Sequence, residues 1–213
     1  MSDGPSPPLS PEDFQRTTGV SRETLSRLEA YLQLLQKWQQ AINLVGRSTL
    51  ADPWRRHVLD SAQLLSHMPA GTESLLDLGS GAGFPGAVLA ILGVADVHLV
   101  EADTRKAAFL QEITRITATR MTIHALRLDR LEPFTADVIT ARAFATVDEI
   151  LKNSKPFRGM STRYLLLKGE ALEAELTQAR KQWSMAATVI PSRTSATGRV
   201  LIIEGVEHHD RSR

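Results

Sequence analysis

The sequence contains no cysteine, which excludes disulfides and thiolate zinc sites. It also contains no apolar run close to the roughly eighteen residues that a membrane-spanning helix requires. The N-terminal stretch MSDGPSPPLSPED lacks the basic start and the apolar segment of a secretory signal. These absences predict a cytosolic protein that has no membrane partner.

The chain has almost no net charge, because 25 Lys and Arg residues are balanced by 24 Asp and Glu residues. No overall field therefore attracts nucleic acid, and an anionic partner must be bound by local groups of basic residues. Such groups occur at 55–57, 105–106, 127–130 and 152–163, although solvated surface charge is their ordinary explanation. The length of 213 residues allows one sizeable domain, and we expect a monomer.

Four segments are predicted along the chain: a loose tail (1–9), an N-terminal helical extension (10–70), a sheet-forming domain (71–207) and a second tail (208–213). Ser10 followed by Pro11 is typical of a helix start. A second helix is predicted from Ser21 and a third from Asp52 to about residue 66. The apolar stripe of the second helix predicts a core-facing surface made of Leu25, Leu28, Leu32, Leu35, Trp38 and Ile42.

Short apolar runs alternate with helical stretches after Gly71, a pattern typical of a parallel α/β sheet. The predicted strands lie at about 74–78, 96–100, 121–126, 136–141, 162–168, 185–190 and 198–205. The predicted helices lie near 85–92, 104–117, 146–154 and 170–182. The last two strands leave no room for a crossover helix, so we expect them to form an antiparallel hairpin.

The stretch DLGSGAGFPG (77–86) contains four glycines directly after the first predicted strand. Glycines at such a strand-to-helix turn expose backbone N–H groups and let a ligand approach closely. The spacing from Asp77 to Gly83 matches the S-adenosylmethionine loop of class I methyltransferases, but Gly81-x-Gly83-x-x-Gly86 also matches the dinucleotide fingerprint. Glu101 ends the second strand, where an acid can bind both ribose hydroxyls. The loop alone does not separate the two cofactors.

Two cationic positions follow later strands. In an open sheet whose first strand neighbours the fourth, ligands bind at the carboxyl ends where the strand order reverses. Arg142-Ala143-Phe144 then lies across this crevice from the glycine loop, and Lys168 ends the next strand. Two cations beside a nucleoside favour a substrate that carries phosphates.

Five motifs in order, KWQQAINLV, RRHVLDS, LLDLGSGAGFPG, ARAF and LLKGE, resemble the bacterial ribosomal small-subunit RNA methyltransferase G family, also called glucose-inhibited division protein B. The resemblance covers roughly residues 25–205. It implies a class I S-adenosylmethionine-dependent methyltransferase (Rossmann-like) fold, with a seven-stranded, mostly parallel sheet, helices on both faces and an N-terminal helical extension. It also implies methylation of N7 of one guanine in the conserved decoding-region loop of 16S ribosomal RNA, and a link between loss of activity and low-level streptomycin resistance.

Carried over residue by residue, the resemblance implies a cofactor site. The glycine loop would bind the methionine part of S-adenosylmethionine, Glu101 the ribose, and residues 127–129 the adenine. The cofactor-binding residues are then Asp77, Gly79, Ser80, Gly81, Gly83, Phe84, Glu101, Arg127, Leu128, Asp129 and Arg142.

The resemblance also implies a substrate edge. Arg142 matches the arginine of the family's serine-arginine-alanine signature, in which this chain has Ala141, and Lys168 matches its lysine-glycine. Both are candidate catalytic residues. Asn43, His57, Asp60 and Ser61 match positions in the N-terminal helices that would close the pocket or contact RNA.

The chemistry implied by the resemblance makes few demands on the protein. Guanine N7 carries a free lone pair and no proton, so no general base is required. Transfer of the methyl group then depends mainly on alignment. We expect Arg142 and Lys168 to bind RNA phosphate or guanine O6, and either Phe144 or Phe84 to act as a stacking platform unless it is simple core.

Other interpretations stay open on the residues alone. A nicotinamide-dependent reductase would use the Gly81–Gly86 fingerprint, although the chain has only two tyrosines and little length for a separate substrate domain. A small-molecule methyltransferase and a non-catalytic nucleoside-binding protein are the others. A hydrolase triad of His57, Asp60 and Ser61 is rejected because all three lie on one turn of one helix. A structural role, in which hydrogen bonds hold this helix on the sheet, explains His57, Asp60 and Ser61 at least as well as RNA contact does. The six histidines show no metal-ligand spacing with acids, so no metal is expected.

Overall fold

The computed structural model describes residues 7–209. Residues 1–6 and 210–213, which hold most of the two predicted tails, lie outside the described residues. In the part of the chain that the structure describes, no helix is both long and apolar enough to cross a membrane.

The N-terminal helices begin where the sequence predicts. Ser10 caps α1 (Pro11–Thr18) by accepting a hydrogen bond from the backbone N–H of Asp13. Ser21 caps α2 (Arg22–Trp38) in the same way through the N–H of Thr24. Because α2 ends at Trp38, Ile42 packs against the core from the following loop.

The predicted third helix is a composite of three pieces. It consists of a π-helical turn (Trp54–Leu59), a short α3 (Asp60–Ala62) and a 3-10 turn (Gln63–His67), together called the composite helix. The pitch changes because the N–H of Asp60 bonds to the carbonyl five residues back, at Arg55, and also to that of His57. Such widened turns are frequent at functional sites.

The sheet has seven strands in the order β3-β2-β1-β4-β5-β7-β6. All neighbouring pairs are parallel except those that involve β7, which is antiparallel to both β5 and β6. The predicted neighbourhood of the first and fourth strands and the predicted terminal hairpin are therefore confirmed. The strands are β1 (Ser74–Leu78), β2 (Asp96–Val100), β3 (Thr122–His124), β4 (Ala136–Arg142), β5 (Arg158–Lys168), β6 (Trp183–Pro191) and β7 (Arg199–His208).

Helices cover both faces of this sheet. Within the domain they are α4 (Gly86–Ile91), α5 (Thr104–Thr117), α6 (Val147–Asn153) and α7 (Leu172–Ala179), with 3-10 turns at Leu128–Arg130 and Lys155–Phe157. A further 3-10 turn, Arg47–Ala51, lies in the N-terminal extension. Side chains alternate between two cores, as the period of a strand requires. Leu75 and Leu165 face the core that contains α2, α4 and α5, whereas Leu76 and Leu166 face the core that contains α6 and α7.

Two strand ends differ from the prediction by more than two residues. β5 begins four residues earlier than expected, because residues 158–162 pair irregularly with β4 through a register shift between Ala136 and Val138. β7 continues to His208, since its end pairs with Trp183 at the start of β6. Both extensions lie at the end of the sheet opposite the glycine loop.

Candidate functional site

The glycine loop leaves β1 in a conformation that favours glycine. Gly79, Gly81 and Gly83 have φ values of 62°, 55° and 91°. The N–H of Ser80 donates to the carbonyl of Val100 (2.9 Å), which ties the loop to the end of β2. A Cβ atom at Gly79 would lie 2.1 Å from Cδ2 of Phe144, so the close approach of this ring also requires glycine.

Asp77 lies beneath the loop and is completely buried. Its Oδ1 accepts a hydrogen bond from the Thr140 hydroxyl (2.7 Å), whereas its Oδ2 has no hydrogen-bond partner among the described residues. Burial raises the pKa of this carboxyl to about 6, although the hydrogen bond from Thr140 opposes the shift. Asp77 therefore supports the loop from below and does not face a ligand directly.

Glu101 joins the loop to β2. Its Oε2 accepts a hydrogen bond from the N–H of Gly81 (2.8 Å), and its Oε1 accepts one from the N–H of Asp103 (2.7 Å). A carboxylate offers about four acceptor positions, so two remain for other donors. The carboxylate is thus fixed at the mouth of the crevice.

Two clefts meet at the glycine loop. The first cleft, of about 430 Å³, is lined by Gly79, Glu101, residues 126–129, Ala143, Phe144 and Asn153 among others. The second cleft, of about 410 Å³, lies between the loop and the N-terminal helices and includes Gly46, His57, Ser80 and Arg142. Because both clefts share Gly79, Glu101 and Ala143, they form one continuous trough across the carboxyl ends of β1 and β4.

Arg127 and Asp129 stand at the rim of the first cleft. Their side chains are exposed, and the Arg127 Nε lies 3.3 Å from Asp129 Oδ1. Leu128 lies between them and packs against the second core. The three residues that the sequence assigns to adenine are therefore brought together with Glu101.

Arg142 closes the second cleft from the end of β4. Its Nη1 donates to the carbonyl of Arg56 and to Nδ1 of His57, both at 3.1 Å, and lies 3.6 Å from Asp60 Oδ2. Its guanidinium also lies over the Phe84 ring, 4.9 Å from the centroid. Burial lowers the pKa of Arg142, and the Asp60 carboxylate opposes this shift.

His57 is neutral and has a defined tautomer. Burial and the neighbouring charges of Arg142 and Arg56 lower its pKa to about 3. Because an arginine only donates, His57 Nδ1 must accept, and Nε2 then carries the proton. Nε2 lies 2.8 Å from the Thr49 hydroxyl, which itself donates to the carbonyl of Gly46. The ring stacks on Phe84 with 4.7 Å between centroids.

The neighbours of His57 on the composite helix make contacts that lock this helix in place. Ser61 Oγ donates to the carbonyl of His57, so it does not form a nucleophile-base pair. Asp60 Oδ1 accepts from the Thr194 hydroxyl of the β6–β7 turn and thereby joins the helix to the far hairpin. Asn43 is exposed, and its Oδ1 lies 3.3 Å from Gln39 Nε2.

Lys168 ends β5 and is bound to the protein. Its Nζ donates to the carbonyl of Ala145 (2.6 Å) and to Glu175 Oε2 (2.7 Å), and its side chain is only 9% exposed. Glu175 Oε2 also accepts from the N–H of Val147 (2.9 Å). The ammonium therefore connects β5 with the starts of α6 and α7.

A third cleft, of about 340 Å³, adjoins the second. Both are lined by Arg56, Asp60, Arg142 and Ala143. The remaining wall of the third cleft comes from the end of β5, from α7, from the β6–β7 turn (192–198) and from the start of β7. It includes Lys168, Gly169, Glu175, Ser192, Thr194, Ser195, Thr197, Gly198 and Arg199.

The two aromatic candidates have different environments. Phe84 is 3% exposed and stacks between Tyr31 and His57, so it belongs to the core. Phe144 is 39% exposed and lines the first cleft. Sequence reasoning missed Tyr31, whose hydroxyl donates to the carbonyl of Ala82 in the glycine loop. Its spacing of three residues from Leu28 on the apolar face of α2 was an available signal.

Comparison with known proteins gives a consistent result. The family model described as rRNA small subunit methyltransferase G matches residues 24–201. A protein named Ribosomal RNA small subunit methyltransferase G from Rhodospirillum rubrum is 57% identical over 195 residues, which cover 92% of this chain and 97% of that relative. Its namesake from Rhodospirillum centenum is 52% identical over 197 residues and covers 92% and 91% of the two chains.

Solved structures match the fold. Magnesium protoporphyrin IX methyltransferase from Synechocystis PCC 6803, crystallised with bound SAH, aligns with a TM-score of 0.55 at 13% identity. The alignment covers 86% of this chain and 100% of that one. The predicted Rossmann-like class I methyltransferase fold is therefore confirmed.

Proposed function

Because the chain belongs to the rRNA small subunit methyltransferase G family, we propose that it methylates N7 of one guanine in the decoding-region loop of 16S ribosomal RNA. Membership of this family makes the protein a methyltransferase of ribosomal RNA that uses S-adenosylmethionine. It also decides, in favour of S-adenosylmethionine, between the two cofactors that the glycine loop left open. The substrate is 16S ribosomal RNA, the small ribosomal subunit or its assembly intermediate, and the enzyme acts as a cytoplasmic monomer.

The trough offers a separate place for each of the three parts of the cofactor. We assign the adenine to the first cleft beside Arg127, Leu128 and Asp129, and the ribose hydroxyls to the two remaining acceptor positions of Glu101. The methionine part then lies in the second cleft along residues 79–84, below Arg142. The three residues shared by the two clefts, Gly79, Glu101 and Ala143, support this assignment, because one extended ligand in both clefts would contact all of them.

The bound cofactor supplies an electrophilic methyl group, and the protein supplies alignment. Guanine N7 has a free lone pair, so no residue must remove a proton. Arg142 lines both the second and the third cleft, and His57, Arg56 and Asp60 hold it there. We therefore assign to Arg142 the orientation of substrate against cofactor, which is an entropic contribution to the rate.

Lys168 takes a different role in this proposal from the one expected from the sequence. Its ammonium is bound by Glu175 and by the carbonyl of Ala145. We therefore assign to it the positioning of the segment from β4 to α6, which carries Phe144 along the first cleft.

The observation that carries the proposal is the continuous trough formed around Gly79, Glu101 and Ala143 in a chain of this family. The test uses methyl-labelled S-adenosylmethionine and small subunits purified from a strain that lacks the gene. Nuclease digestion and mass spectrometry then locate the label. We expect a single 7-methylguanosine in the decoding-region loop. Label on another nucleoside, or no label although the cofactor binds, would contradict the proposal.

A further inference from the structure

The third cleft lies next to the place where the methyl group must be delivered. It shares Arg56, Asp60, Arg142 and Ala143 with the second cleft, to which the methionine part of the cofactor is assigned. A nucleobase in the third cleft would therefore be separated from the methionine part of the cofactor only by the side chains that line both clefts.

The wall contributed by the β6–β7 turn is polar, and some of its hydroxyl groups have no hydrogen-bond partner among the described residues. The hydroxyls of Ser192 and Thr194 interact with Asp60 Oδ1. The hydroxyls of Ser195 and Thr197 make no hydrogen bond within residues 7–209 and line the cleft. Hydroxyls that can both donate and accept suit the mixed edge of a nucleobase.

The charges around the third cleft are not balanced. Arg142 lies beside Asp60 and Lys168 pairs with Glu175, so two of the four cations are neutralised. Arg56 and Arg199 have no carboxylate partner in the described part of the chain. Arg199 Nη1 donates to the carbonyls of Ala196 and Gly198, which holds its guanidinium against the turn. The exposed Arg56 comes from the composite helix, so the two cations stand on different elements.

We propose that the third cleft receives the target guanosine, and that Arg56 and Arg199 bind the RNA phosphates on either side of it. This inference rests on the proposed function. A base in a single-stranded loop leaves its stack at low cost, and its two phosphates enter with it. Guanidinium groups match phosphate geometry better than ammonium groups do. The unpaired arginines, rather than Arg142 and Lys168, are therefore the phosphate ligands.

The first experiment blocks the cleft. Thr197 is exposed on the turn, so Thr197→Trp fills the cleft without entering the core, and Thr197→Ser is the matched control. Cofactor affinity is measured by calorimetry and methyl transfer on small subunits from the deletion strain. We expect Thr197→Trp to bind cofactor normally and to lose transfer, while Thr197→Ser keeps both. Full transfer by Thr197→Trp would overturn the assignment of the cleft.

The second experiment counts phosphates. Arg56→Gln and Arg199→Gln are compared with Arg193→Gln, which removes the same charge from an exposed residue of the same turn that does not line the cleft. Affinity for small subunits is measured against salt. Each cleft variant should reduce the slope of log affinity against log salt by about 0.7, and Arg193→Gln should leave it unchanged. Equal slopes for all variants would overturn the phosphate assignment.

Measurements on the wild-type protein distinguish failure of the proposed function from failure of the assignment of the third cleft. If it labels one guanine at N7 but Thr197→Trp and the arginine variants behave like their controls, the inference fails and the proposed function stands. If wild-type protein binds cofactor but transfers no methyl group to small subunits, both fail together.

Discussion

The two ends of the trough are built differently. At the cofactor end, Glu101 accepts hydrogen bonds from the backbone N–H groups of Gly81 and Asp103, which lie 20 and 2 residues away. The Arg127–Asp129 pair at this end is exposed. At the substrate edge, Arg142 is bound by His57, which is 85 residues away. The cofactor end is thus a local structure, whereas the substrate edge depends on the complete fold.

The largest effect is expected at Lys168. Lys168→Met leaves the Glu175 carboxylate without its cation in a largely buried site, so the free energy of unfolding should fall by about 3 kcal/mol. Lys168→Met combined with Glu175→Gln should recover much of this loss, because the Gln oxygen still accepts from the N–H of Val147. Urea unfolding measures both. If Lys168→Met had the same free energy of unfolding as wild type, the Lys168–Glu175 pair would not stabilise the substrate edge.

Asp77 and His57 are expected to change the pH dependence of the free energy of unfolding in opposite directions. Asp77 has a pKa of about 6 in the folded protein against 3.8 in the unfolded chain, so its stabilising effect is complete below pH 3.8 and is lost as the pH rises through 6. The loss corresponds to about 3 kcal/mol. His57 has a folded pKa of about 3 against 6.5, so its effect is complete above pH 6.5 and is lost as the pH falls towards 3.

Substitutions should therefore change the pH dependence of stability in opposite directions. Asp77→Asn should make the protein lose stability more steeply on acidification from pH 6.5 to 4. His57→Asn should make it more resistant to acid over the same range. Urea unfolding at several pH values measures the slopes, and identical slopes in both variants and wild type would contradict the assigned pKa shifts.

Substitution of His57 should have a smaller effect than these changes in stability, and the effect should be on the rate of methyl transfer. His57→Ala removes the acceptor that orients Arg142, and kcat for small subunits should fall by about tenfold while cofactor affinity is unchanged. His57→Asn keeps an acceptor near the position of Nδ1 and should restore most of the rate. If Asn gives no more activity than Ala, His57 acts through packing alone.

Arg127 should give the smallest effect. Its ion pair with Asp129 is exposed, and such pairs contribute about 0–1 kcal/mol. Arg127→Gln should weaken cofactor binding by less than about fivefold and leave the melting temperature within error. A loss as large as that of His57→Ala would show that the cofactor end is as tightly constrained as the substrate edge.

This contrast also explains what the sequence could predict. The glycine loop, Glu101 and the limits of β1, β2 and α5 follow local spacing and period, and the structure has them at the predicted residues. The strand neighbours follow from general rules of α/β sheets. The partners of Arg142 and Lys168 could not be predicted, because they depend on where distant elements meet. The π-helical turn could not be predicted either, because its apolar pattern also fits an ordinary α-helix.

The most direct test of the central claim is made in cells. A strain that lacks the gene is complemented with the wild-type gene or with Gly79→Val, whose Cβ would collide with Phe144 in the middle of the trough. Mass spectrometry of 16S ribosomal RNA then measures 7-methylguanosine in the decoding-region loop. We expect one such nucleoside with wild type and none with Gly79→Val. Its absence with wild type would contradict the proposed function, and its presence with Gly79→Val at the wild-type level would contradict the role of the trough.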